Sequence, residues 1–415
     1  MEVNRGYKQT EVGVIPEDWD VIKLGDIGEC LIGLTYSPSN VKTDGTLVLR
    51  SSNVQNGSLS FNDNVYVDAE IPQRIRVING DILVCVRNGS RALIGKSALL
   101  DKRVEGQTFG AFMSVYRTKD FGYIFQQFQS DLIKRQINEN IGATINQITN
   151  RNLNSFKVPF PTDNLERKAI TGALSDLDAL LATQERLLIK KRDIKQAVMQ
   201  QLLSGKKRLQ GFVGEWEVKK LSDLGHTYGG LTGKSKTDFL DGTVPYIPFM
   251  NVMRTPVIDT SDFDYVKLTE NEMQNKAAKG DLFFNGSSET PEEVGMCSVL
   301  LENIPNLHLN SFCFGFRFNS DAHVNELFFA YWFRCNEGRK VMSVLAQGAT
   351  RYNIAKSAFL KLSLNLPSKE EQTAIATILS DMDAEIILLE KQRDKTSAIK
   401  QGMMQELLTG KIRLA

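Results

Sequence analysis

Apolar positions along this chain follow two different periods, and the change from one to the other happens twice. Residues 1–163 and 210–368 carry short apolar runs bounded by Gly, Asn and Asp, such as Thr46–Arg50, Asp81–Val86, Ala92–Ser97 and Phe112–Arg117. Runs of that kind predict strands joined by turns, with a helix over Tyr123–Asn140. Residues 164–209 and 369–415 are instead Gly-poor and rich in Leu, Ile, Lys, Glu and Gln. Ile170, Leu174, Leu177, Leu181, Leu188, Val198 and Leu202 fall on a 3-4 spacing in the first of these; Ile375, Leu379, Met382, Ile386, Leu389, Met403 and Leu407 repeat it in the second. The spacing predicts helices over 164–204 and 369–409 with a coiled-coil seam. Both seams weaken in the middle, at Gln184, Lys191 and Lys195 and at Arg393, Thr396 and Lys400. Each stops at a Gly shortly after Leu-Leu, Gly205 or Gly410, a natural C-terminal end. The alternative is two independent amphipathic helices, each packed on its own domain.

The pattern is a duplication. WDVIKLGDIG at 19–28 returns as WEVKKLSDLG at 216–225, IGAT at 141–144 as QGAT at 347–350, and VPFP at 158–161 lines up with LNLP at 364–367. LSDLD at 174–178 returns as LSDMD at 379–383, and LLSGKKRL at 202–209 as LLTGKIRL at 407–414. The expected fold is therefore a duplicated α/β (α+β) domain, 1–163 and 210–368, with spacer helices 164–209 and 369–415 forming an antiparallel coiled coil about a pseudo-twofold axis. A pair of that kind would hold the two domains at opposite ends. Some forty helical residues span roughly 60 Å, comparable to about 18 base pairs at roughly 3.4 Å each.

Composition narrows the function. Hydrophobic residues make up 42% of the chain and charged ones 24%, with no uninterrupted apolar stretch of about 18 residues. The start, MEVNRGYKQTEVG, has no signal-peptide run. The expectation is a cytoplasmic protein with no membrane contact. Cys30, Cys85, Cys297, Cys313 and Cys335 are scattered and odd in number, which suits reduced thiols. His226, His308 and His323 are too dispersed to complete a zinc site with them. The net charge of +1 is low for a protein that holds DNA alone. Only 164–209 is clearly basic, with ten Lys and Arg against five Asp and Glu.

Catalytic signatures are missing. No Asn/Asp-Pro-Pro-Tyr/Phe motif occurs, and no glycine-rich cofactor loop follows a strand. GGLTGKS at 229–235 fails as a phosphate loop, because Tyr228 stands where the pattern requires its first Gly. No catalytic residue, metal ligand or cofactor is assigned to this chain.

EVGVIPEDWDVIKLGDI near the start, GLTYSPSNVKTDGTLVLRSSNVQNG at 33–57, GDILV at 80–84 and IGATINQITNRNLNSFKVPFP at 141–161 resemble the specificity subunits of type I restriction-modification enzymes. So do GGLTGKSKTDFLDGTVPYIPFMNV at 229–252, GDLFFNGSSE at 280–289, QGATRYNIAKSAFLKLSLNLP at 347–367 and EEQTAIATILSDMDAEI at 370–386. One departure is NLERKAI at 164–170, where the family's Glu-Gln pair, Glu371 and Gln372 in the second copy, is incomplete; local capping is the only expected consequence. The resemblance implies a DNA-binding subunit without activity of its own, whose two target-recognition domains each read half of a bipartite double-stranded site. It implies helices that set the spacing and dock two modification (methyltransferase) subunits, which bind S-adenosylmethionine. Restriction (translocase-nuclease) subunits would use ATP and Mg. The rival readings are a self-contained DNA methyltransferase and a coiled-coil scaffold that reads no DNA.

Matched loops supply the candidate DNA contacts. Arg50, Ser51, Ser52 and Asn53 correspond to Met250 and Asn251 in the second copy, and Arg87, Asn88, Ser90 and Arg91 to Asn285, Ser287, Ser288 and Glu289. Arg and Asn are the side chains able to make paired hydrogen bonds to guanine or adenine edges. Thr144, Asn146 and Gln147 are matched by Thr350, Arg351, Tyr352 and Asn353, which suit phosphate or base contacts. Thr35, Tyr36 and Lys42, with Thr232, Lys234 and Lys236, occupy paired early loops fit for phosphate positioning. Each of these loops is otherwise an ordinary solvated turn. The charged helix midsections, around Lys190–Lys195 and Lys391–Lys395, are a solvated face, a DNA-spacer contact or a docking surface; the pattern does not separate the three.

Overall fold

The computed structural model of the chain describes residues 5–142, 146–269 and 272–414. It divides into two compact units, Met1–Glu185 with Gln392–Ala415, and Arg186–Lys391. Each unit holds parts of both long helices, Asn164–Leu202 and Lys369–Leu407.

In the first unit the strand Ile82–Cys85 is buried along its whole length, which is why it reads as continuously apolar. It lies between Ser97–Leu99 and Met113–Thr118, and Gly28–Ile32 completes an antiparallel sheet of four. A second sheet runs Thr108–Phe109, Thr46–Leu49, Tyr66–Val67, Val41–Lys42, its first pair parallel. The second unit repeats the order: Cys297–Val299, Leu282–Asn285, Cys313–Phe318, Gly225–Gly229. There His308–Leu309 pairs in parallel with Val244–Ile247, followed by Asp264–Val266. Duplicated sequence has produced duplicated topology, α+β in each copy.

Two local expectations are corrected. Ala92–Ser97 is not a strand: Arg91–Leu93 forms a 3₁₀ turn, Gly95 takes φ +84°, and the strand starts at Ser97. The helix expected over Tyr123–Asn140 is two, Phe121–Gln129 and Asp131–Asn140. Ser130 makes the break, because its extended backbone and its hydroxyl, accepting from Ile133 N, cap the second helix.

Helix pairing is visible inside each unit. Ile170 and Leu174 are buried with Leu407 and Leu408 in the first, and Ile375, Ala376 and Leu379 with Leu202 and Leu203 in the second. The start of each helix thus packs on the end of the other, an antiparallel arrangement. The polar positions that interrupt the seam are contacts rather than gaps. In the first unit Lys400 meets Asp178 at 2.5 Å, Arg393 meets Glu185 at 3.3 Å, and Gln184 Nε2 donates to Thr396 Oγ1 at 3.2 Å. In the second, Lys195 pairs with Asp383, Lys191 with Glu385 and Arg192 with Glu390. Part of the charged midsection is therefore spent between the helices. Each helix stops at its Gly, with φ +70° at Gly205 and +71° at Gly410, a conformation other residues adopt only with strain.

The short tails after those glycines act as clamps. Arg413 bonds Glu166 and Asp18 in the first unit, and Arg208 bonds Glu371 in the second. The incomplete Glu-Gln pair has more than a capping consequence. Glu166 stands in for Glu371, while Arg167, in place of Gln372, ties the helix to Asp120 and to the Pro161 carbonyl.

Candidate nucleic-acid interface

The strand Thr46–Leu49 runs into the 3₁₀ turn Ser51–Asn53, and the turn explains its asparagine. Asn53 is fully buried. Its Oδ1 accepts from Arg50 N at 2.9 Å, and its Nδ2 donates to the carbonyls of Ser60 and Asp63. The matched Asn251 accepts from Asp259 N at 2.9 Å and donates to the carbonyls of Asp259 and Asp262. Asn285 accepts from Met296 N and donates to the Glu293 carbonyl at 3.0 Å. These three asparagines are not base readers, which corrects the reading from composition. Both ends of each amide satisfy buried loop backbone, and nothing is left for a ligand. Ser287 is likewise almost buried, paired in a strand with Asn353.

Lys234 is the other correction. Its side chain is only 8% exposed, bonded to the Lys267 carbonyl at 2.8 Å and to Glu272. That ammonium holds the Glu272 carboxyl down at about 2, helped by the Gln274 amide. A lysine so placed staples its loop and has no charge to spare for phosphate.

What remains exposed is brought together. A cleft of about 580 Å³ in the first unit is lined by Thr35, Tyr36, Arg50, Ser51, Ser52 and Phe112, among others. Arg50 leans on Asp63 at 2.9 Å, while its Nε and the Ser52 hydroxyl find no partner among the described residues. The next loop abuts this cleft. Asn88 Nδ2 donates to Ser51 Oγ at 3.2 Å, Asn146 Nδ2 donates to the Gly89 carbonyl at 2.9 Å, and Arg87 bridges to Gln147 through the backbone. The Arg87 guanidinium lies over the Phe112 ring, 4.9 Å from its centroid. Ser90 and Lys42 are exposed, and Arg91 gives one donor to the Asn138 carbonyl. Thr144 lies outside the described residues.

The second unit builds the same surface with other groups. Ser287–Ser288 pairs with the strand Tyr352–Ile354, which brings Tyr352 and Asn353 beside that loop. Arg351 lies over the Phe312 ring at 5.6 Å. Glu289, Thr350, Thr232 and Lys236 are exposed, Met250 is half exposed, and Ser288 Oγ donates to Glu293. Reasoning from the pattern missed Phe112 and Phe312, because an aromatic at the head of an apolar strand reads as core.

The surface offers hydrogen-bond donors and acceptors. Among the described residues no group of three or more His, Cys, Asp or Glu side chains is placed to hold a metal. The five cysteines are free, and burial pushes the Cys30 thiol up to about 12. No helix of the described residues is long and apolar enough to cross a membrane.

A doubled scaffold presenting two different arrays of guanidinium, amide and hydroxyl groups is that of a recognition protein. Residues 16–191 and 214–397 both match the family model described as the type I restriction modification DNA specificity domain, and the chain belongs to that family. It is 25% identical to the type I restriction enzyme EcoKI specificity subunit of Escherichia coli K12, over 95% of this chain and 89% of that one. It is 27% identical to the putative type I restriction enzyme MjaX specificity subunit of Methanocaldococcus jannaschii, over 98% and 97%. Two solved chains share the fold. One is from a type I R-M system studied for complex assembly and conformational transition (TM-score 0.59, 16% identity, 96% of this chain and 99% of that one). The other is the type I S subunit from M. genitalium (TM-score 0.59, 14% identity, 98% of each). As a specificity subunit the protein selects DNA sequence and is not itself an enzyme; catalysis belongs to partner subunits.

Proposed function

We propose that residues 1–163 and 210–368 are two target-recognition domains, each reading one half of a bipartite site in double-stranded DNA. The observation that carries this is the contrast between the copies: the same buried anchors hold loops whose exposed tips differ, as two unlike half-sites require. The readers in the first half are Arg50, Ser51, Ser52, Arg87, Asn88 and Asn146. In the second they are Met250, Ser288, Glu289, Arg351, Tyr352 and Asn353. Lys42 and Lys236 contact phosphate.

Helices 164–209 and 369–415 set the spacer and dock two methyltransferase subunits, which bring S-adenosylmethionine; restriction subunits add ATP and Mg chemistry. The complex works in the cytoplasm, where its DNA is. The near-neutral charge supports this division of labour, since a chain of net charge +1 relies on partners for much of its phosphate contact.

The test replaces 210–368 with the matching segment of a relative and maps methylated bases in cells that carry the complex. One half of the motif changes and the other is retained. A swap that alters both halves, or neither, refutes independent reading.

A further inference from the structure

Two exposed phenylalanines stand at the same point of the duplicated scaffold, and each has a guanidinium on its face. Phe112 is 58% exposed and immediately precedes Met113–Thr118; Phe312 is 55% exposed and immediately precedes Cys313–Phe318. Their carbonyls do equivalent work. That of Phe112 accepts from Val86 N and Arg87 N at 3.1 Å each, and that of Phe312 accepts from Gly286 N at 2.8 Å. A single exposed apolar side chain is ordinary. A pair at matched positions, each covered by an arginine, calls for an explanation.

The arginines do not match. Arg87 pairs across to Gln147, and the residue that pairs to the matching Asn353 in the second unit is Ser287. There the guanidinium arrives from the other side of the bridge, on Arg351. Two different sequence positions therefore deliver one chemical group to one ring. Neither guanidinium makes a hydrogen bond or an ion pair to the described residues, so both forks are unspent.

We propose that Arg87 on Phe112 and Arg351 on Phe312 form the base-reading centre of each half. The ring holds the guanidinium flat, its fork meets N7 and O6 of a guanine, and the exposed ring edge lies against the 5-methyl of an adjacent thymine. This rests on the reading of these faces as DNA-facing. Arginine is the side chain that makes two bonds to guanine, and phenylalanine is an apolar partner for the thymine methyl. Separations of 4.9 and 5.6 Å from the ring centroids lie within the range of cation–π attraction. It orders the side chain before DNA arrives, so less freedom is lost on binding.

The experiment uses the complex assembled with its methyltransferase subunits, its target first read from methylated bases. Duplexes with 7-deazaguanine at each guanine, or uracil at each thymine, are titrated against wild type, Arg87→Lys, Phe112→Leu and Arg351→Lys, with urea midpoints taken alongside. One 7-deaza replacement in one half weakens wild type about tenfold but weakens Arg87→Lys no more than about twofold. The adjacent uracil behaves the same way with Phe112→Leu, and Arg351→Lys affects only the other half. Lysine keeps the charge and the exposed site tolerates it, so a phosphate contact would leave every ratio as in wild type; that result overturns the proposal. Loss of discrimination in both halves at once overturns it too. Variants that change neither binding nor methylation would sink the DNA-facing reading of the surface as well, which separates the two failures.

Discussion

In the first unit Asp81 receives Arg117 through two bonds of 2.8 Å. In the second, Asp281 receives Arg317 through bonds of 2.8 and 2.7 Å and also the hydroxyl of Tyr228, which stands where the first unit has Leu31. The apolar cores differ more. Val84 faces Ser114 across the first sheet, whereas Phe284 faces Phe314 in the second, stacked at 5.1 Å and surrounded by Phe333 and Phe359. Trp19 donates its indole N–H to Glu166 at 3.1 Å, while that of Trp216 is buried without a partner among the described residues. The paired Asp-Arg anchors and the capping asparagines Asn53 and Asn251 are common to both units, whereas Asn285 stands where the first unit has Cys85; the apolar packing and the loop tips differ. Leaving a buried polar group without its partner costs the desolvation of that group, whereas an apolar core accepts many sets of similar total volume and pattern.

The comparison can be broken most severely at the helices, the part both units share. Inserting four residues between Glu185 and Lys191 displaces one helix by roughly 6 Å against the other. The cross-helix pairs cannot all re-form, and assembly with the methyltransferase subunits fails. A matching insertion between Glu390 and Arg393 restores the pairing, and the methylated motif then gains one or two spacer base pairs at roughly 3.4 Å each. An active double insertion with an unchanged spacer would mean that the helices measure nothing.

The anchors come next. Arg117→Ala leaves a buried carboxylate uncompensated and costs about 3–5 kcal/mol in urea unfolding. Arg317→Ala costs about 1 kcal/mol less, because Tyr228 still donates to Asp281. Equal losses would show that the hydroxyl contributes nothing.

Smaller effects separate the lysines. Lys42→Ala and Lys236→Ala each lower the salt dependence of DNA binding by about one ion. Lys234→Ala leaves that slope unchanged and lowers the melting temperature instead. A reduced slope for Lys234→Ala would restore it as a phosphate contact.

The smallest effect lies in acid. The Arg413 guanidinium holds the Asp18 carboxyl below its ordinary value. The bond therefore contributes fully above about pH 4 and is lost as the pH falls through the lowered value. In the second unit Arg208 turns its spare donor to the Gly214 carbonyl instead. Asp18→Asn should flatten the acid limb of thermal stability slightly, whereas Glu215→Gln should not; equal responses would erase this difference between the clamps.

Much of the fold was legible along the chain. The 3-4 spacing, the Leu-Leu-Ser/Thr-Gly-Lys ends and five ordered landmarks are local properties, so they yield the long helices, the repeat and the family resemblance without coordinates. The site was legible only as loops. Arg87, Asn88 and Asn146 come together in the fold, but Asn53, Asn251, Asn285 and Lys234 carry the same polar signature and face inward. Composition reports that an amide is present, not whether backbone groups several residues away already use it. Nor does spacing reveal that Lys195 and Lys400 meet aspartates on the opposite helix.

Periodicity and duplication thus belong to the one-dimensional pattern, because hydrogen bonding within a helix or strand ties each residue to near neighbours. Which polar groups remain free for DNA, and which arginine comes to rest on which phenylalanine, needed the folded chain. Those outcomes depend on burial and on contacts between residues far apart in sequence, and no local rule carries them.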